Sequence, residues 1–403
     1  MNIRMSDAPD RLAPQTGNNV LFAFSGQQGR VVGRGVRPAS ALPAGTAATL
    51  AVRLERAFAG TGPQGLVGGA LAFDRSQPDC LWHCPATPTP VGAATLAPQP
   101  AHAPQGLSVS AQPEPATYAR AVARALQIMR DEAGQPGALE KIVLARSLLV
   151  RAEAPIRVED LLARLGDDPA VTAFRVALPA RGTQQRWLCG ATPELLLAKT
   201  GARITSHPLA GSARRRADAL ADQQSAAALM ASDKDHREHA LVVESILDVL
   251  SPWCRQLGAP EGTRLTSTRS MWHLGTRIEG ELKDPETSSA VLAAHLHPTP
   301  AVCGVPMARA NALIAELEPF ARDFYAGAVG WCDARGDGAW HVAIRCAEIC
   351  GAEARLYAGA GIVPGSDPMA EAAETGAKFG AFLTALGLPA DAGLAGVTRD
   401  EVR

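Results

Sequence analysis

Residues 141–150, KIVLARSLLV, limit the fold more than any other stretch of the chain. Apolar residues follow one another there almost without polar alternation, the pattern of a strand covered on both faces rather than one with a wet side. Such a strand belongs in a sheet with further layers packed against it. Lys141 opens the run, and two placements are open to it: the exposed mouth of the strand, the commoner situation for a lysine, or burial for a purpose.

Short apolar runs at residues 20–24 and 66–73, separated by Gly and Pro, read as strands, with a helical excursion over 46–58. Residues 85–115 are rich in Pro, Ala and Thr, as a linker or an extended irregular strand is, and form the one candidate boundary. After it Tyr118, Val122, Ala125, Leu126 and Met129 recur at helical spacing behind Glu114 and Pro115. Residues 171–178 and 187–189 read as strands, and ATPELLLAKTGARITSHPLAGS as a turn, a strand, a tight TGA reversal and a second strand. Residues 340–347 also read as one strand. Val342, Ile344 and Cys346 alternate there with His341, Ala343 and Arg345, which puts Arg345 on the face opposite the aliphatic residues.

Composition narrows the function. The 403 residues carry a formal net charge of −1 and few aromatics, with no block of like charge, so neither a nucleic-acid footprint nor a membrane-surface patch is indicated and the expected partner is small. Residues 1–18 lack the charged start and apolar run of a signal peptide, and no stretch reaches a membrane-spanning length, which predicts a cytoplasmic protein. The closest cysteine pairs, Cys80/Cys84 and Cys346/Cys350, lack the CxxC spacing of zinc or redox sites. Buried free thiols are expected, and His83 beside the first pair is only a weak metal signal.

Carboxylates at helical spacing carry the chemistry. In residues 356–379, LYAGAGIVPGSDPMAEAAETGAKF, a glycine-rich turn feeds a helix with Ser366 or Asp367 as N-cap and Pro368 at its first position. Glu371, Glu374 and Lys378 fall along one side of that helix. Gly359 and Gly361 let backbone approach a bound group closely, and the helix N-terminus favours an anion. The helix in SDKDHREHALVVESILDVL buries Val242, Ile246, Val249 and Leu250, and Glu238 continues that apolar stripe, so it requires a cation. Asp235 and Glu238 repeat the spacing of Glu371 and Glu374, and two such helices can grip one divalent ion from opposite sides. Glu194 follows Pro193 and precedes three leucines, an edge where partial desolvation raises a carboxyl pKa as a general acid requires.

In chain order, KIVLAR, TPELLL, PLAGSARR, KDHREH, MWHLGT, HPTPAVCG, YAGAVGW, IRCAEI and LYAGAGIVPGS with ETGAK resemble the motifs of the chorismate-utilising enzymes, and among these the isochorismate synthases. The resemblance spans residues 118–386 and rests on motif order rather than on any one motif. It implies an α+β fold: a single domain of two packed antiparallel sheets with peripheral helices and an active site between its halves. Residues 19–390 then form one catalytic domain, with 19–115 as its N-terminal portion, flanked by a weakly ordered 1–18 and a tail at 391–403.

The same resemblance implies a Mg²⁺ site of Glu238, Glu374 and Glu371, with Asp235 and Glu371 acting through bound water. Lys141 becomes the general base for water adding at C2 of chorismate, and Glu194 the general acid for the departing C4 hydroxyl. Arg345 and Tyr357, with backbone at Gly361, receive the enolpyruvyl carboxylate; Lys378 lies near the metal-bound one. Gly211, His273, Ala301 and Val302 complete the substrate wall. The amine-transferring relatives resemble glutamine at the base position and take ammonia from a glutaminase, so Lys141 argues for a chain without that partner, expected as a monomer. Pro208-Leu209-Ala210-Gly211 stands where aminodeoxychorismate synthases carry a PIKG lysine. HPTPAVCG points away from salicylate synthases, which go on to eliminate pyruvate. A catalytically dead relative would lack the acid, base and metal set that is present here. Cys303 leans toward a siderophore pathway, with menaquinone the alternative.

Overall fold

The computed structural model describes residues 20–35, 40–59, 65–84 and 103–394. The expectations for residues 1–18, for most of the proline-rich segment and for residues 395–403 lie outside the described residues. Among the described residues the strands form a nine-stranded, an eight-stranded and a three-stranded sheet, antiparallel throughout. The fold is α+β, as expected, with one small sheet more than the two foreseen.

The strand Lys141–Arg151 lies inside the nine-stranded sheet and is buried at every position but its last. Ile142 and Leu144 join the core that the two large sheets share with Phe22, Val67, Leu197 and Trp340. Leu148 and Val150 face a second core under the helices Val158–Leu165 and Gly380–Leu386. Continuous apolarity thus reports two covered faces, as the sequence requires. Lys141 is fully buried too, so its placement is the less common of the two. The residues before position 115 add strands to both large sheets: Val20–Gly26 pairs with Thr172–Arg181, and Leu66–Leu71 pairs with Ala328–Asp333. Ser108–Gln112, in the stretch read as linker or irregular strand, is a strand beside Lys141–Arg151.

The helices form where the spacing places them. Pro115–Asp131 buries Tyr118, Val122, Ala125, Leu126 and Met129. Asp233–Leu250 is capped by the Ser232 hydroxyl, which accepts from the Asp235 N–H, and buries Glu238 with Val242, Ile246 and Leu250. Pro368–Lys378 is capped by Asp367, whose carboxylate accepts from the N–H groups of Met369 and Ala370. No described helix is long and apolar enough to cross a membrane. All eight cysteines are buried thiols.

The predicted single strand over residues 340–347 is not formed. Gly338–Val342 belongs to the eight-stranded sheet and Cys346–Cys350 to the nine-stranded one, and the chain crosses between them at Arg345, whose φ is +49°. A left-handed arginine breaks the alternation, so the face assignment of Arg345 fails with it. A second crossing runs beside the first. Gln184–Thr192 of the nine-stranded sheet continues through Pro193 and Glu194 into Leu195–Thr200 of the eight-stranded one. Hydrogen bonds knit the two: Thr192 Oγ1 donates to the Val342 carbonyl at 2.7 Å, Val342 N–H to the Glu194 carbonyl at 3.1 Å, and Ala191 N–H to the Arg345 carbonyl at 3.1 Å.

A buried ion pair fastens the wall that carries Val302. Arg322 donates to both carboxylate oxygens of Glu318, at 2.9 and 2.5 Å, and to the carbonyls of Val302 and Val143, each at 2.7 Å. Glu318 also accepts from the Ala145 N–H at 2.7 Å. Both side chains are buried, so removing one leaves an uncompensated charge in the core. Arg322→Ala is expected to cost about 3–5 kcal/mol, read as a lower urea midpoint at unchanged slope. A change within about 0.5 kcal/mol would show that the pair is not a structural tie.

Candidate active site

A cavity lies between the nine-stranded and three-stranded sheets, beneath the two crossings. Strand Glu353–Ile362 supplies Tyr357, Gly359 and Gly361; strand Leu209–Arg214 supplies Leu209 to Ser212; strand Met271–Thr276 supplies His273. Ala301 and Val302 form a further wall, and the helices contribute Glu238, Glu374 and Lys378. The crossings present Glu194 and Arg345. Of the residues expected at the site from sequence, twelve line this cavity, Gly359 among them, and Asp235 is not in its lining. Lys141 and Glu371 stand behind its surface.

Glu194 is 3% exposed. Burial raises its carboxyl to about 8, against the opposing pull of the Leu209 N–H and of Lys141, Arg345 and Lys378. It therefore holds a proton at neutral pH, which an acid needs. The Arg345 guanidinium has no hydrogen-bond or ion-pair partner among the described residues, and burial lowers it to about 10, with Glu374, Tyr325 and Glu194 working against that. Burial also drives His273 well below its ordinary 6.5, with Arg345 and Lys378 adding to the effect and a hydrogen bond to Gly211 opposing it. Its ring is neutral, and Nε2 is buried without a partner. An unpaired guanidinium and an unpaired imidazole nitrogen at one cavity are groups kept for a ligand.

Three acidic groups are each matched to a lysine. Lys141 Nζ lies 3.0 Å from Glu238 Oε1, which answers the requirement that Glu238 find a cation, and it makes no hydrogen bond in doing so. Lys378 lies 2.5 Å from Glu374 Oε1, which also accepts from Ser212 at 2.8 Å, and Lys378 donates to the Gly359 carbonyl at 2.9 Å. Lys234 lies 2.8 Å from Glu371. Burial pushes Glu371 up, and the neighbouring Glu374 adds to this. For Glu374 the burial effect is outweighed, chiefly by Lys378, and its carboxyl is held below the usual range. Among the described residues no three His, Cys, Asp or Glu side chains stand close enough to hold a metal ion.

Gly359 and Gly361 both line the cavity, and Gly361 is also needed within the protein itself. A Cβ on Gly361 would sit 2.1 Å from Glu238 Oε1, so the close approach it permits is that of Glu238 itself. Gly211 has φ +72°, and a Cβ there would meet Asp235 at 2.9 Å. The N-terminus of helix Pro368–Lys378 is taken by Asp367, and it is the later turns, with Glu374 and Lys378, that reach the cavity. Sequence reasoning missed Ser212 and Tyr325. Tyr325 stacks on Tyr357 with ring centroids 4.7 Å apart. Both belong to motifs already noted, PLAGSARR and YAGAVGW, but neither has a titratable partner at helical or strand spacing to flag it. His236 and His239 stand outside the cavity, with ring nitrogens 2.9 Å from the Met230 carbonyl and 2.7 Å from Thr276 Oγ1.

A buried protonated acid, a buried lysine and an anion-receptive wall define an acid–base enzyme for a carboxylate substrate. Comparison with known proteins gives the family: residues 91–387 match the chorismate binding enzyme family, and the chain belongs to it. The isochorismate synthase DhbC of Bacillus subtilis is 46% identical over 279 residues, 68% of this chain and 69% of that protein. MenF of Mycobacterium tuberculosis is 42% identical over 374 residues, 91% of this chain and 96% of that one. The crystal structure of DhbC from Bacillus anthracis superposes with a TM-score of 0.82 at 36% identity, covering 93% of this chain and 98% of its own.

Proposed function

We infer that the chain converts chorismate to isochorismate in this cavity, with Glu194 as general acid and Lys141 as general base. The observation that carries the role assignment is the Glu194 carboxyl, kept protonated by burial at a cavity where the neighbouring crossing presents the Arg345 guanidinium without a partner among the described residues. Water adds at C2 while the C4 hydroxyl departs. In its neutral amine form, released from Glu238, Lys141 takes a proton from the incoming water and Glu194 gives one to the departing oxygen, so the product has the mass of the substrate. Arg345 suits the enolpyruvyl carboxylate, as the bidentate geometry of a guanidinium allows, with Tyr357 and the Gly361 backbone beside it. Ala301 and Val302 bound the ring. Gly211 and His273 close the remaining wall.

Glu238 and Glu374 offer hard oxygen ligands to one cavity, the donor chemistry that Mg²⁺ prefers, and they would hold it with Asp235 and Glu371 behind them. Bound there, Mg²⁺ neutralises a substrate carboxylate. Glu374→Gln is expected to raise the Mg²⁺ concentration for half-maximal chorismate binding by at least about tenfold, measured by calorimetry. Unchanged Mg²⁺ dependence would remove Glu374 from the site.

Similarity to a 2,3-dihydroxybenzoate-specific and to a vibriobactin-specific isochorismate synthase supports a siderophore route for the product, with the menaquinone route as the alternative. Because the nucleophile is water, the chain needs no glutaminase, and it is assigned to the cytoplasm as a monomer. The deciding experiment incubates purified protein with chorismate and Mg²⁺ and identifies the product by chromatography and mass. Isochorismate without pyruvate supports the reading. Salicylate with equimolar pyruvate, or no reaction, overturns it.

A further inference from the structure

Beyond Lys378 lies a second, wider chamber of about 360 Å³, which shares Pro193, Arg345, Tyr357 and Lys378 with the active-site cavity. Its charged lining is one-sided: Arg164, Arg214, Arg215, Arg269, Arg345 and Lys378 stand against a single carboxylate, Asp168. The whole chain has a net charge of −1, so this excess is local. Apolar side chains, among them Leu165, Leu356 and Phe382, fill the spaces between the cations.

Several of these charges have work already. Arg215 lies 2.9 Å from Asp222 and its guanidinium sits over the Trp272 ring at 4.3 Å. Arg164 donates to the Ala385 carbonyl at 2.8 Å. Arg269 donates to the Asp167 carbonyl at 2.6 Å, while its N–H bonds Asp168 at 2.7 Å, so the turn before strand Met271–Thr276 is strapped across to the end of helix Val158–Leu165. Arg214 differs. Its carbonyl accepts from Ser225 at 3.0 Å, but its guanidinium is half-buried and has no hydrogen-bond or ion-pair partner among the described residues.

We propose that this chamber is the entrance to the active site and that Arg214 is the first group to take a carboxylate of the incoming dianion. The proposal rests on chorismate being the substrate. Walls of low dielectric with charge of one sign focus the field into a cleft and raise capture of an oppositely charged ligand by about 10 to 10³. A guanidinium without a partner costs nothing to release when a carboxylate arrives. The same chamber has apolar side chains in its lining for the ring and shares Arg345 and Lys378 with the active-site cavity, and its one carboxylate, Asp168, is already bonded by the Arg269 N–H.

The test compares wild type with Arg214→Glu, Arg214→Gln and Arg214→Lys, following isochorismate formation at fixed Mg²⁺ across ionic strength. At low ionic strength kcat/KM of Arg214→Glu is expected to fall about tenfold or more, with a smaller fall for Arg214→Gln and wild-type behaviour for Arg214→Lys. The difference closes toward 1 M salt, where the screening length is about 3 Å. The loss falls in kcat/KM, not in kcat. An unchanged kcat/KM in Arg214→Glu at low salt, or a loss equal at every salt concentration, overturns the proposal. Failure of wild type to turn over chorismate would show in the same assay and would sink the functional reading instead.

Discussion

Glu194→Gln is expected to lower kcat by about 10² to 10⁴ while leaving chorismate binding and its Mg²⁺ dependence in place. The amide fills the same space and still offers an oxygen to the Leu209 N–H, but it has no proton to give. Wild-type kcat/KM is expected to fall as pH rises through about 8, the value to which burial lifts this carboxyl, because the acid is then spent before the substrate arrives. The folded state binds that proton more tightly than the unfolded chain does. This contribution to stability is therefore complete below the ordinary carboxyl value of 4.5 and declines as pH rises toward 8. Glu194→Gln should remove both the alkaline limb of the rate profile and that slope in a denaturation series. Appreciable turnover in the variant would end the assignment of Glu194 as the acid.

Lys141→Ala should abolish turnover to a similar extent and produce a second effect that the ion pair dictates. In wild type Glu238 is neutralised at 3.0 Å by a lysine with no exposure. Without that lysine the carboxylate is stranded, and the metal-free variant is expected to be less stable by about 3–5 kcal/mol. Mg²⁺ should then raise its melting temperature by more than it raises that of wild type, since no lysine competes for Glu238. Equal Mg²⁺ stabilisation of the two proteins would mean that the metal does not use Glu238. Loss of chorismate binding with intact metal binding would make Lys141 a substrate anchor instead of a base.

Much of the site could be read from residue order because its chemistry uses few residue types at helical spacing. Asp235 with Glu238, and Glu371 with Glu374, show themselves as carboxylates three apart, and Glu238 as a charge on an apolar stripe. The partner that resolves Glu238 lies 97 positions earlier, at Lys141, and no local pattern reports a contact of that separation. The same holds for Arg322 and Glu318, whose neighbours look like an ordinary exposed i,i+4 pair until the strand Lys141–Arg151 is laid over them. Residues 340–347 mislead for a different reason. Their alternation is real, but the break falls on an arginine in the left-handed region, where glycine would have announced it. The three-stranded sheet was hidden because its strand Leu209–Arg214 follows directly on a hairpin strand, separated by Pro208 alone.

The two adjacent crossings have a consequence for tolerance. Glu194 and Arg345 do not ride on free loops; each is a link between the same two sheets, and the links are laced to one another through Thr192, Ala191 and Val342. If the sheets slide or flex, the proposed proton donor and the proposed anion receptor travel together, and the span between them is set by a few peptide units. The opposite wall, with Ala301 and Val302, has its own tie, through Arg322 to the carbonyls of Val302 and Val143. Substitutions at Ala301 or Val302 are expected to alter which ring shapes are admitted while the hydrogen bonds that join the crossings, and with them the spacing of Glu194 and Arg345, stay in place.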